Sequence, residues 1–305
     1  MTVTVIGSYV VDLMSRTPYM PKPGETVLGG PFQSGHGGKG SNQATAAARQ
    51  GIKVNMVTKI GSDVFGEQAL KHFSKENINA DFIVKSVEEA TGAALIAVDS
   101  NGENMIIVAI GASGKLTKEE VRRAEEKIKL STVILLQLET SLEANEEAIR
   151  LGKKHAVPII LNPAPYYEFP KHWLKDVTFL TPNETEAEGL TGIPIQDEAS
   201  ARKAGESLYQ QGVKNVVITL GSKGCLLYNG QQKGVLIPGF SVEVVDTTGA
   251  GDAFNGGLAA CLDQQKSLVD SLTYANAVGA LSVTRVGTAA SMPTRQEVDH
   301  FLNRK

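Results

Sequence analysis

Cysteine is scarce in this chain of 305 residues: only Cys225 and Cys261 occur, in the apolar contexts Gly-Cys-Leu-Leu and Ala-Ala-Cys-Leu. That excludes a disulfide framework and a cysteine-ligated metal cluster, and predicts two buried thiols in a reducing compartment. A surplus of charge is missing as well. Lys and Arg total 30 against 33 Asp and Glu, a formal net charge of -3, and the basic residues form no run. No electrostatic footprint for nucleic acid is present. No apolar run approaches the length needed to span a membrane. The opening Thr-Val-Thr-Val-Ile-Gly lacks a basic flank and meets Asp12 early, so it reads as a core strand rather than a targeting segment. A cytoplasmic protein with neither membrane nor nucleic acid as partner is expected. Low-complexity tracts and internal repeats are also absent.

What is present is a 42% hydrophobic chain long enough for a sizeable core. Its length fits two domains or one large α/β domain; a single domain over 1–305 is expected. Short apolar segments occur at Val3–Ile6, Val54–Ile60, Val133–Leu138, Ile159–Leu161, Val216–Leu220 and Cys225–Tyr228. Most are β-branched and bounded by Gly, Pro or Asn, as buried strands are. Helical patterns lie between them at Gln43–Gln50, Gly66–Glu76, Lys118–Lys129, Leu142–His155 and Ala199–Gln211. Thr117-x-x-Glu120 and Thr294-x-x-Glu297 read as capping boxes. Strand–helix alternation predicts a mostly parallel sheet covered on both faces, a three-layer α/β sandwich. Two stretches break the rhythm. Residues 12–34 are rich in Pro and Gly, and 91–110 read as strands Ala93–Val98 and Asn104–Ala109 joined by the turn Asp99-Ser-Asn-Gly102. These predict a small separate β unit.

The chemistry concentrates in Val245-Asp-Thr-Thr-Gly-Ala-Gly-Asp-Ala-Phe254, which runs on into an apolar helical stretch. A glycine-rich turn feeding a helix N-terminus aims N–H groups and a positive dipole at one point. Gly249, Ala250 and Gly251 would supply them to a phosphoryl group in transfer. Asp252 lies inside that anion site, where phosphate repels a carboxylate. It makes most sense there as a general base taking a proton from an attacking hydroxyl. A plain helix cap is the competing reading. Gly35-His-Gly-Gly-Lys-Gly40 formally fits G-x-G-x-x-G. The dinucleotide reading wants that motif in the first βα turn, whereas here a long Pro/Gly segment intervenes after the first strand. Gly38-Lys39 is followed by Gly40, not Ser or Thr, so no Walker A loop is formed. Glu139 closes the apolar run Val-Ile-Leu-Leu-Gln-Leu, a strand end of the kind where α/β sheets bind ligands; a solvated strand-end Glu is the alternative.

Three motifs in order resemble the ribokinase family of carbohydrate kinases: Gly37-Gly-Lys-Gly-Ser-Asn-Gln43, Asn183-Glu-Thr-Glu186 and Asp246-Thr-Thr-Gly-Ala-Gly-Asp-Ala-Phe254. Together they extend the resemblance over essentially the whole chain. It implies a ribokinase-like α/β fold with a small β lid, from about 12–34 and 91–110, that covers the sugar and often forms a dimer surface. It implies ATP as phosphoryl donor, with Asp252 acting on a sugar's primary hydroxyl. The sugar side would comprise Asp12, Gly38, Lys39, Gly40, Ser41, Asn42, Glu139 and Asp252, with Lys39 either a ligand or a charge closing its loop. The nucleotide side would comprise Asn183, Thr219, Gly221, Lys223, Gly224, Gly251 and Asn276, with Lys223 either a phosphate partner or a turn charge. Asn183 and Glu186 would serve Mg²⁺ through water, and they also read as a helix start. The resemblance further places an activating K⁺ among Asp246, Thr248, Ser282, Arg285, Gly287 and Ser291, where hard oxygen ligands suit it. A homodimer through the lid is the implied assembly.

One position departs from the family. Gly7-Ser-Tyr-Val10-Val-Asp12 carries Val10 where the family places an Asn that faces the sugar hydroxyls. The implied activity is phosphorylation of a free pentose at its 5-hydroxyl, D-ribose first and 2-deoxy-D-ribose as the alternative. Fructokinase, nucleoside kinase and non-catalytic sugar-binding readings stay open. The lid stretch lacks an aromatic-rich segment suited to stacking a nucleobase.

Overall fold

The computed structural model describes residues 2–263 and 266–304. Its strands are β1 (Thr2–Ile6), β2 (Val10–Arg16), β3 (Phe32–Gly37), β4 (Lys53–Gly61), β5 (Ile78–Ser86), β6 (Thr91–Val98), β7 (Asn104–Gly111), β8 (Val133–Gln137), β9 (Ile159–Asn162), β10 (Phe179–Leu180), β11 (Asn215–Thr219), β12 (Gly224–Asn229) and β13 (Lys233–Pro238). One sheet runs β13-β12-β11-β10-β9-β8-β1-β4-β5, parallel except for antiparallel β12 and β13 at one edge.

Pleating decides the layers, because successive side chains point to opposite faces. Val3 and Val5 pack with Ala44, Phe73, Leu258 and Leu272, from helices Lys39–Arg49, Val64–Lys75, Ala250–Asp263 and Leu268–Ser282. Ile6, Ile134 and Leu136 face the other way, onto Ile128, Leu151, Ala187 and Leu208. Strands sandwiched on both sides must be apolar throughout, which is why the sequence marks them as continuous runs. Both thiols are buried and free, and burial pushes Cys225 up to about 12 and Cys261 up to about 11. The two capping boxes form as the sequence indicates. Helix 118–129 divides instead at Arg123 and Ala124 into two short pieces.

The sheet grows in both directions from β1, with β4 on one side and β8 on the other. Beyond the carboxyl ends of β1 and β8 the flanking connections diverge and leave a crevice. The helix Lys39–Arg49 starts there, four residues before the apolar pattern indicates. Its N-cap Gly38 has no side chain to cap with; the Glu139 carboxylate, beyond β8, accepts the Lys39 N–H at 2.8 Å. Gly40 permits that approach, because a Cβ on it would meet Ser8 N and Gly7 Cα at about 2.5 and 2.6 Å.

The second sheet, β3-β2-β6-β7, contains the β6–β7 hairpin, with Ala93 opposite Ala109 and the turn held by Asp99 accepting from the Asn101 and Glu103 N–H groups. β2 joins this hairpin by pairing in parallel with β6, and β3 pairs with β2 in antiparallel fashion. Val10 and Asp12 thus sit on a strand of the small sheet rather than at the end of the first core strand. No helix among the described residues is long and apolar enough to cross a membrane.

Candidate active site

Asp252 lies in the first turn of the helix Ala250–Asp263, 6% exposed. A carboxylate at that depth needs partners. Asn42 Nδ2 donates to its Oδ2 and Gln43 Nε2 to its Oδ1, both at 2.9 Å. Gln43 is itself locked: its Nε2 also reaches Asn162 Oδ1 at 3.0 Å, and its Oε1 accepts from Gln137 Nε2 at 2.7 Å. Asn162 continues to the Thr181 carbonyl, and Thr181 to Asn255, whose amide returns to the Gly251 carbonyl. A closed network of buried side-chain amides, the Thr181 hydroxyl and the Gly251 carbonyl therefore fixes the Asp252 carboxylate, which lines the pocket. Sequence reading assigned no role to Gln43, Gln137, Asn162 or Asn255. The signal available was a polar residue ending or interrupting an apolar run, as in Val-Ile-Leu-Leu-Gln137 and Ile-Ile-Leu-Asn162.

The turn before Asp252 is clipped from below. Asp246 accepts the N–H groups of Thr248 and Gly287, each at 2.9 Å, and these bonds hold its carboxyl below the usual range against the opposing effect of burial. Gly249 then turns with φ +79° into the helix. Ala250 donates its N–H to Thr247 O at 3.2 Å. Gly251 and Asp252 have no intrahelical acceptor, as first-turn residues do not. Both line a pocket of about 150 Å³ with Lys39, Asn162, Asn183, Glu186, Thr219 and Gly249. A Cβ on Gly251 would meet no atom within 4 Å, so the glycine leaves space over the turn.

Lys39 and Glu186 set the charge of that pocket. Burial works against charging Lys39, yet Asp252, Glu139 and Glu186 outweigh it and hold its pKa above the ordinary value. Glu186 is pushed up by burial, opposed by the Asn183 N–H and by Lys39. The capping box is made: Asn183 Oδ1 accepts the Glu186 N–H at 2.8 Å and Glu186 Oε2 accepts the Asn183 N–H at 2.9 Å. Among the described residues no hydrogen bond engages Glu186 Oε1, which leaves a hard oxygen on the pocket.

Beyond Thr219, Thr247 and Gly251 the pocket opens into a cleft of about 810 Å³ lined by Gly221, Ser222, Gly224, Phe240, Phe254 and Asn276 among others. Asn276 lines it while its Nδ2 donates to Ile237 O and Pro238 O. Lys223 is exposed and does not line the cleft.

The opposite side gathers Asp12, Asn42 and Glu139. Glu139 is pushed up chiefly by burial, opposed by Lys39 and by the Ser8 hydroxyl that donates to it at 2.5 Å. Asp12 is pushed up to about 6 by burial, helped by Glu139 and Asp252 and opposed by the Thr288 hydroxyl. Val10 shares the Asp12 face of β2 by strand alternation, and is 3% exposed. Ser41 is fully buried and its hydroxyl has no hydrogen-bond partner among the described residues. His36 Nδ1 is hydrogen-bonded with the Tyr9 hydroxyl at 2.8 Å, and its ring stacks on His72.

The segments expected around a monovalent cation are brought together by the Asp246–Gly287 bond. Their side chains are engaged elsewhere: Ser282 Oγ donates to Gly279 O, Ser291 Oγ to Thr288 O, and Arg285 pairs with Glu297.

The profile of the pfkB family carbohydrate kinases matches residues 2–295. A ribokinase of Haemophilus influenzae is 43% identical over 301 residues, 99% of this chain and 98% of that protein. A deoxyribokinase of Salmonella typhi is 40% identical over 304 residues, 99% of each. The solved structure of Arabidopsis thaliana ribokinase complexed with ribose and ATP is similar with a TM-score of 0.91, at 31% identity over 99% of this chain and 98% of that one. A buried carboxylate after a glycine turn, on a polar pocket that opens into a long cleft, therefore sits on the scaffold it resembles: the chain belongs to the pfkB family of carbohydrate kinases.

Proposed function

We propose that this kinase transfers the γ-phosphoryl of ATP to the 5-hydroxyl of D-ribose, as a single-domain cytoplasmic enzyme. The observation that carries the reading is Asp252, buried on a polar pocket that opens past Gly251 into the long cleft, with both oxygens oriented by amides. A primary hydroxyl beside it gives up its proton as it attacks phosphorus. The Gly251 and Asp252 N–H groups and Lys39 face the charge that develops on the transferring group. Lys39 thereby acts on the phosphoryl side of the pocket. Asn183, Thr219, Gly221, Gly224 and Asn276 hold the nucleotide in the cleft, with Lys223 outside it. The free Glu186 Oε1 suits an outer-sphere contact to Mg²⁺, which keeps most of its own waters. When bound, that ion neutralises charge on the nucleotide phosphates. K⁺ between 246–248 and 282–291 would rest on backbone carbonyl oxygens, since the side chains there are already engaged.

The small sheet acts as the lid in this reading, and its outer face as the surface of a homodimer. Leu95, Met105 and Ile107 stand exposed there around a groove of about 430 Å³.

A second reading, 2-deoxy-D-ribose, is favoured by Val10. A ribose hydroxyl pressed against its apolar side chain without a partner would cost about 1–3 kcal/mol. An apolar wall rejects an added hydroxyl by only about 10²-fold, so ribose remains a substrate even if the deoxy sugar is preferred. The test is kcat/KM for both sugars in the wild type and in Val10→Asn. Movement of the ratio toward ribose supports Val10 as the selector; an unmoved ratio removes the case for the deoxy sugar. Absence of ADP release with both sugars would refute the pentose kinase itself.

A further inference from the structure

Thr288 lies in the loop after the helix Leu268–Ser282, far in sequence from the small sheet, and three of its contacts converge on the site. Its hydroxyl lies 2.9 Å from Asp12 Oδ2 on β2 and 2.8 Å from the His36 carbonyl on β3. Its backbone backs the anion turn: a Cβ on Gly249 would lie 3.5 Å from Thr288 Cα. The residue before it, Gly287, is bound to Asp246. One residue thus ties the small sheet to the turn that carries Asp252.

Resting on the pentose-kinase reading above, we propose that Thr288 is a positioning residue for the sugar site, which fixes the Asp12 carboxylate and joins it to the anion turn. The hydroxyl has one proton and two acceptors in range. Donated to Asp12, the proton stabilises the ionised carboxylate, the form that accepts hydrogen bonds from sugar hydroxyls. The groups facing Asp12 are Glu139 beyond β8 and Asp252 on its helix, both acidic, and the Tyr9 phenol ahead of β2, with Lys39 among the same carboxylates. The His36 ring, from β3, is engaged by Tyr9 and His72. Burial and the two carboxylates push Asp12 up to about 6 while Thr288 opposes them. Sugar affinity is therefore full above that pH and falls as pH drops through it. Without the hydroxyl, that fall begins at higher pH.

The experiment compares the wild type, Thr288→Val and Thr288→Ser. KM for D-ribose, 2-deoxy-D-ribose and ATP is measured against pH, with calorimetric pentose binding and thermal denaturation alongside. Loss of a hydrogen bond to a charged group corresponds to about a ten- to hundredfold effect. Thr288→Val should weaken pentose binding by that factor and move its acid limb to higher pH, with KM for ATP within about twofold; Thr288→Ser should restore both. An unmoved sugar KM and acid limb in Thr288→Val overturns the proposal. So does a parallel rise in both KM values with a lowered Tm that Thr288→Ser does not restore. Binding of pentose without turnover in the wild type would sink the kinase reading, yet calorimetry would still read the Thr288 effect. Binding of neither pentose overturns both.

Discussion

Replacing Gly251 by alanine separates folding from catalysis. Gly251 is the second residue of the helix Ala250–Asp263, and an ideal Cβ there meets nothing within 4 Å. Its backbone also lies outside the left-handed region. Alanine in a helix is favoured over glycine by about 0.5–1 kcal/mol, so Gly251→Ala should keep or slightly raise Tm. The empty space is nevertheless the pocket between Lys39, Glu186 and Asp252. A methyl group standing in it excludes other heavy atoms to about 4 Å and displaces a phosphoryl by on the order of 1 Å. A misplacement of that size costs about 10²-fold in rate, or about 2.7 kcal/mol of barrier. Coupled ADP release and thermal denaturation on the same preparation measure both effects. Gly256 supplies the contrast: a Cβ there would come 2.4 Å from Ala46 Cβ and 2.7 Å from Gln43 O, where the helices Lys39–Arg49 and Ala250–Asp263 touch. Gly256→Ala should lose about 1–3 kcal/mol of stability together with activity. A Gly251→Ala enzyme turning over within about threefold of wild type would refute the reasoning, because the phosphoryl would not pass over the turn.

Asp252→Asn should lower kcat by about 10²–10⁴-fold while calorimetry still detects the sugar; near-normal turnover would remove Asp252 as the base. K⁺ should raise activity over Na⁺ by ordering the loops joined through Asp246 and Gly287, and equal rates in K⁺-free buffer would count against a cation there.

Much of the large sheet was legible because its strands are buried on both faces and must be apolar from end to end. Val133–Gln137 and Ile159–Asn162 could hardly be read otherwise. The glycine turn into the helix of Asp252 was legible for a related reason: a turn and the helix start that follows it are built from contiguous backbone, so the glycines and Asp252 are neighbours in sequence. β2 and β3 were not. Phe-Gln-Ser-Gly-His-Gly has two glycines and little β propensity, and is a strand only because β2 pairs with it. The early start of the helix Lys39–Arg49 was equally hidden, since its cap is Glu139, a hundred residues away. By itself the sequence determined the layers, the caps and the order of the motifs, all properties of local pattern. Only the tertiary structure decided which amides hold Asp252, that Lys39 faces Glu186 and Asp252, and that Thr288 reaches Asp12. Hydrogen bonds between side chains far apart in sequence leave no periodicity to read; they exist only once the sheet has brought its strand ends together.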